Sequence, residues 1–296
     1  MKELHEFRIF EHFYHLLQQP NDAKFNGLMY VINVNRDDPL FNQIGKIDRE
    51  LRFNNRALFS SWSVRRIYSK KEFADAELFH VNINRAFEPT GEECGTEYDE
   101  NAECEICGAN RKQRGPLMLK KGSIPKKDIS RTIAGEVVVS EKFANAVKKH
   151  RLKGVLFKPV FVNKAMSSHY FQLDSSSPSL DLSDRTIAGI HPFDLSTETT
   201  GEQEFTVSGG YKIRFEKIVL KCPKGHLIGD RLISEPFVKD TFSINQYDFF
   251  VTKQKIGAKL GLLQPEPLYL CSPAFRTMVL DEKMTGFDFE IAHIGY

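Results

Sequence analysis

Three cysteines and one histidine fall in two short clusters, Cys104-Glu-Ile-Cys107-Gly108 and Cys222-Pro-Lys-Gly225-His226. Cys-x-x-Cys followed by glycine is a turn that points two thiolates at one cation, since the glycine leaves room for backbone amides to face the sulfurs. Cys222 and His226 make a looser second turn. Pooled, the clusters supply a Cys3His set of borderline-soft donors, which suits tetrahedral zinc better than calcium, magnesium or an iron–sulfur cluster. Four protein ligands close the coordination sphere, so the expected Zn2+ is structural. A Cys104–Cys107 disulfide or redox pair is the competing reading. The thioredoxin-type motif, however, opens a helix after a strand, whereas Glu97-Tyr-Asp-Glu-Asn101 reads as a polar loop. Cys94, next to Gly95, is a further candidate ligand.

The elements that must bring these clusters together show an internal repeat. Val137–Phe157 aligns without a gap on Tyr269–Phe289 at a constant offset of 132, pairing Ser140 with Ser272 (272 − 140 = 132), Phe143 with Phe275, Val147 with Val279 and Gly154 with Gly286. Each copy reads as a short apolar strand, a serine N-cap, a helix of two to three turns, a glycine that permits a left-handed exit, and a second strand. The clusters repeat at a shorter offset (222 − 104 = 118), and much of the difference can sit in the Gly- and Lys-containing stretch from Gly257 to Gln264. One cluster from each copy meeting at one ion would cross-link them. Structural zinc contributes on the order of 10–16 kcal/mol of apparent binding energy in small domains, enough to decide whether two halves stay docked.

Upstream, Leu4, Phe7, Phe10, Phe13, Tyr14 and Leu17 recur at helical spacing and Pro20 stops the pattern, which predicts an N-terminal amphipathic helix. Residues 27–35 read as a strand, Glu72 to Phe79 as a helical turn leading into a strand over Leu78 to Ile83, and Tyr211 to Leu220 as the strand that delivers Cys222. Ser175 to Ser179 and Thr197 to Gly210 are linker-like and expected as surface loops. The resulting expectation is an α+β fold: residues 1–20 as a helix, 21–165 as the first pseudo-repeat half with the CxxCG knuckle, and 166–296 as the second half with the Cys222–His226 knuckle. Together these form one compact unit bridged by zinc.

Composition bounds the function classes. With 296 residues, 41% hydrophobic content and 24 Phe, the chain can bury a sizeable core and is not a disordered polymer. A formal charge of +2 is too small to mark a nucleic-acid or acidic partner by itself. Five unevenly spread cysteines argue against a secreted disulfide scaffold and for a reducing compartment. No apolar run approaches the roughly 18 residues of a membrane span, so neither anchor nor membrane partner is expected.

Two segments invite a partner. Trp62, the one tryptophan, stands with Arg65, Arg66 and Tyr68 where it would stack on a base or a partner loop. A lone Trp among alternating apolar residues is also the mark of a half-buried sheet. From Arg111 to Arg131 the chain carries eight cations, Lys120 and Lys121 among them, against Asp128 alone, directly after the first metal turn. This is the best nucleic-acid candidate, although interleaved aromatics are missing and Pro116 and Pro125 break any groove-reading helix; the plain alternative is a solvated basic edge. P-loop, GxGxxG, HExxH and GxSxG motifs are absent, so enzymatic activity is not expected. Tyr98, Asp99, His169, His191 and His293 have no partner spacing for acid–base chemistry.

The run Gly95-Thr-Glu-Tyr-Asp99, Cys104-x-x-Cys107-Gly, Val138-Val-Ser-Glu141 and Gly154-Val-x-Phe157-x-Pro159 resembles bacterial proteins of the double-CxxCG motif family. The C-terminal stretch Asp248-Phe-Phe-Val-Thr-Lys-Gln, Gly261-Leu-Leu-x-Pro265 and Gly286-Phe-x-Phe289-x-Ile-Ala-His293 looks like the same group. The resemblance runs from about Trp62 to the end. Related proteins are counted among immunity proteins of polymorphic toxin systems, which implies a non-enzymatic cytoplasmic protein that neutralises a cognate toxin by occluding it. The second motif departs from the family pattern: Gly225 stands where a fourth sulfur would be, and the ligand moves to His226. Inhibitors of basic nucleases tend to be acidic, and this chain, with pI near 8.2, is not.

Overall fold

The computed structural model describes residues 1–17, 23–189, 192–193, 203–206, 212–215, 226, 231–239, 242–257 and 259–295. Helices and sheets are mixed, in keeping with an α+β fold, and the chain divides into two compact units, Met1–Asp75 with His191–Ser196 and the remainder.

The smaller unit is built on an antiparallel sheet in the order Lys24–Phe25, Met29–Asn35, Lys2–Phe10, Phe59–Ile67. The N-terminal helix expected over residues 1–20 is not formed: Lys2–Phe10 is a strand, followed by a 3-10 helix over Glu11–Leu16. Glu3, His5, Phe7 and Ile9 point inward with a period of two. Two of these four are polar, so the inward face is invisible to a hydrophobic count, and the three-residue spacing of Leu4, Phe7 and Phe10 imitates a helix. The one long helix of this unit, Pro39–Phe53, starts where the Asp38 carboxylate accepts the Leu40 N–H at 2.8 Å, with proline in its first turn. It buries Phe41 against His5 and Phe7.

The larger unit holds two sheets of matching order. One runs Ala86–Phe87, Ile129–Thr132, Val137–Ser140, Ala165–Ser175, Val155–Val162, Leu117–Leu119. The other runs Phe249–Ile256, Glu266–Cys271, Leu78–Ile83, Phe287–Ile294, Phe237–Val238. From Ile129–Thr132 and from Phe249–Ile256 onward the pairing sense is the same: three antiparallel neighbours, then one parallel. The helices Glu141–Lys149 and Pro273–Asp281, and the strands Val155–Val162 and Phe287–Ile294, begin and end at positions 132 apart. Each helix is capped by its serine, Ser140 accepting the Phe143 N–H and Ser272 the Phe275 N–H, both at 3.2 Å.

The two segments exchange contacts reciprocally. Asp128 accepts the Ser140 hydroxyl at 2.9 Å and the Thr285 N–H at 2.8 Å. Asp248 accepts the Ser272 hydroxyl at 2.7 Å and the Lys153 N–H at 2.8 Å. Gly154 and Gly286, both at positive φ, lie against the backbone of the opposite segment, and a Cβ would stand 2.5 Å from the Phe249 carbonyl in one case and 2.2 Å from that of Ile129 in the other. Between the helices the rings of Phe143 and Phe275 meet at 5.9 Å.

A boundary at 165/166 would cut the hairpin that pairs Val155–Val162 with Ala165–Ser175. The middle strand of the second sheet, Leu78–Ile83, comes from far upstream in the chain. Among the linker-like stretches, Gln203–Thr206 pairs with Lys212–Phe215 within the strand expected to deliver Cys222. Cys222 itself, the rest of that strand and most of Thr197 to Gly210 lie outside the described residues.

Candidate metal centre

Within the larger unit, Glu97–Asp99 is a short strand rather than the polar loop expected, paired antiparallel with Lys112–Arg114. The knuckle is the connection between them. The Gly108 N–H donates to the Cys104 carbonyl at 2.8 Å and the Cys104 N–H to the Ala109 carbonyl at 2.6 Å. Gly108 and Asn110 take left-handed backbone, with φ of 79° and 70°. Glycine is required at 108 for a second reason: a Cβ there would lie 2.7 Å from Cβ of Lys259. Lys259 in turn donates its N–H to the Cys107 carbonyl at 3.2 Å, so this residue of the Gly- and Lys-containing stretch packs against the knuckle.

Cys104, Cys107 and His226 converge, with Sγ, Sγ and a ring nitrogen all within 4.8 Å of one another. Both cysteines are buried. His226 Nδ1 is 3.4 Å from Cys107 Sγ, and its Nε2 is 3.0 Å from the Asn110 side-chain amide. Zinc–sulfur and zinc–nitrogen bonds of ordinary length in a tetrahedron separate the donor atoms by roughly 3.5–3.8 Å, which this spacing fits. The Asn110 atom facing Nε2 is Nδ2; with the amide turned over, its oxygen would accept the Nε2 proton and leave Nδ1 free as the donor to a cation. Three of the four residues expected from sequence are thus brought together, and Cys222 falls outside the described residues. Cys94 does not join them; it ends the turn Glu92–Cys94, and burial pushes its thiol pKa up.

The charges around the knuckle are tied to one another. The Arg111 guanidinium lies 3.8 Å from the centre of the Tyr98 ring and pairs with Glu92 at 2.7 Å and Glu103 at 3.5 Å; Glu103 also takes Lys259 at 2.8 Å. Arg114 pairs with Asp99 at 2.9 Å, and Arg131 with Glu266. Three of the eight cations in the expected basic edge are therefore fasteners, while Lys120 and Lys121 are exposed.

Beside Gly108 opens a cleft of about 420 Å³ lined by Tyr98, Glu136, Lys255, Gln264 and Glu266. Glu136 accepts the Tyr98 and Thr132 hydroxyls and the Gly91 N–H. Burial nevertheless raises its pKa and that of Glu266. Burial, with Glu136 adding to it, pushes the Tyr98 phenol far up, and burial lowers the Lys255 ammonium. Nothing in the sequence marked Glu136, Lys255 or Glu266, because Glu136 sits in the turn before Val137–Ser140 while Lys255 and Glu266 come from two different strands, and single charged residues so placed have no spacing signature. Asn110, two residues after the glycine of the knuckle, had a signal in its affinity for left-handed turns.

The other expected partner residues divide by burial. Trp62 is only 6% exposed and belongs to the interior of the smaller unit, and Arg66 is buried against Glu3, so neither is presented as a contact anchor. Arg65 is exposed. Tyr98 and Asp99 are engaged as described, His169 meets Glu141 at 3.2 Å, and His293 meets Glu235 at 2.8 Å; His191 lies outside the described residues. No helix among the described residues is long and apolar enough to cross a membrane. No protein-family model matches the chain, and no curated protein matches it either.

Proposed function

We propose that the chain is a zinc-stabilised, non-enzymatic protein-binding protein, and that its partner is a bacterial toxin which it neutralises as an immunity factor. The observation that carries the zinc is the meeting of Cys104 and Cys107 with His226, 119 positions beyond Cys107. Two thiolates and an imidazole favour zinc over hard cations, and Cys222 is the fourth ligand in this reading. The matched sheets and the common 132-residue offset of their helices support an ancestral duplication, with the ion cross-linking the C-terminal copy to the N-terminal one. The immunity role rests on the sequence resemblance to the double-CxxCG family.

Metal analysis of the purified chain tests the first part: about one zinc per chain is expected, lost in Cys104→Ser and in His226→Ala. Absence of metal from protein purified without chelator would remove it. The second part is tested by co-expression with the product of the neighbouring gene. Rescue of growth and a stable complex are expected, and a chain that binds no such product is not an immunity factor.

A nucleic-acid-binding role for residues 111–131 is the second reading. Pairing of Arg111, Arg114 and Arg131 weakens it, and Lys120, Lys121, Lys126 and Lys127, all exposed, are what favours it. Neutralising these four lysines abolishes salt-dependent RNA or DNA binding if this reading holds.

A further inference from the structure

The turn over residues 121–123, with Ile124 to Lys126 after it, lines a groove of about 640 Å³ together with Arg85, Phe87, Val162 and Tyr170 on the side of the first sheet. Its floor is apolar. Phe87 and Ile124 belong to one buried cluster, and Tyr170 packs against that cluster half-buried. Its rim carries Arg85, Lys121 and Lys126, all exposed, and no acidic side chain lines it. Among the described residues none of these three side chains forms an ion pair, Phe87 and Tyr170 stack on no other ring, and the Tyr170 hydroxyl makes no hydrogen bond to protein.

We propose that this groove binds a nucleotide, with the phosphate on the Arg85, Lys121 and Lys126 rim and the base against Tyr170. Three unneutralised cations around one mouth suit the roughly two negative charges of a phosphate monoester better than the single charge of a carboxylate. An apolar aromatic floor is wasted on an inorganic anion, whereas every base has a π-face to lay on a tyrosine ring and polar edges for a free hydroxyl. The volume lies in the range of small-molecule sites. Sequence alone argued against base stacking because residues 111–131 contain no aromatic; the fold supplies Phe87 and Tyr170 from other strands. The inference is independent of the metal and of any protein partner.

Titration calorimetry of the full chain with AMP, with a single-stranded hexanucleotide and with inorganic phosphate tests it. AMP binding identifies a free mononucleotide as the ligand; hexanucleotide binding without AMP binding identifies a nucleotide within a strand. Tyr170→Leu is expected to weaken the bound species about ten-fold or more through lost stacking. Lys121→Gln with Lys126→Gln should flatten the logarithmic salt dependence of hexanucleotide binding by about one to two. Lysines 121 and 126 are exposed, so this variant should keep the parent unfolding midpoint even if Tyr170→Leu does not. The proposal is overturned by no binding of either nucleotide, by phosphate binding as tightly as AMP, or by variants that fold and bind as the parent does.

Discussion

Glu3 is held by Arg36 at 2.7 Å and by Arg66 at 3.1 Å, and the Arg66 side chain is as sealed from water as the carboxylate it meets. Burial alone would raise the Glu3 pKa, but His5, Arg36 and Arg66 outweigh it and hold it at about 2. A depressed carboxyl pKa stabilises the fold fully above the unfolded value near 4.5, and that contribution disappears as pH falls through about 2. The smaller unit should therefore lose stability between pH 4.5 and 2, and Glu3→Gln should flatten this acid limb in urea denaturation followed at each pH. At neutral pH the same variant strands a buried guanidinium and should cost about 3–5 kcal/mol. Glycines 154 and 286 give a second residue-scale test. Alanine at either position combines a left-handed backbone with a carbonyl in its path, and each change should destabilise by about 1–3 kcal/mol in equilibrium unfolding. An alanine at Gly115, also at positive φ but with open space around it, is the control expected to cost less.

At the scale of elements, Asp128 and Asp248 each fasten a helix cap in one segment to a backbone N–H in the other. Burial pushes the Asp128 pKa up, but hydrogen bonds from Thr285 and Ser140 and the nearby Lys142 charge bring the net below the ordinary 3.8. Its stabilisation is complete above that value and fades as pH drops beneath it. Asp128→Ala should cost about 0.5–1.5 kcal/mol by removing the acceptor shared by the Ser140 hydroxyl and the part-buried Thr285 N–H, and hydrogen exchange should show the Thr285 amide losing protection along with the start of helix Glu141–Lys149. Both helices of the larger unit, their serine caps and their glycine exits were legible in sequence because capping and left-handed turns have strict residue preferences. The first strand was not, since its inward face is half polar, and the strand exchange was not, since no local pattern says which sheet Leu78–Ile83 joins. Cys104, Cys107 and His226 were legible from spacing and donor type, whereas the carboxylates of the neighbouring cleft came together only through the fold.

On the scale of the whole molecule, the candidate metal ligands all belong to the larger unit, so chelation should act on that unit selectively. With a bound ion contributing on the order of 10 kcal/mol, excess EDTA should lower the larger unit's thermal transition steeply while the transition of the smaller one, followed through Trp62 fluorescence, stays near its place. A single transition that ignores chelator would mean that no ion supports the fold.

The placement of Leu78–Ile83 between Glu266–Cys271 and Phe287–Ile294 bears on how the chain is born. A ribosome adding about 5–20 residues per second needs roughly 10–40 s to travel from the end of that strand to residue 294. Throughout that interval the nascent polypeptide carries an apolar ribbon whose two lawful neighbours do not yet exist, and it is then that a holdase has something to hold.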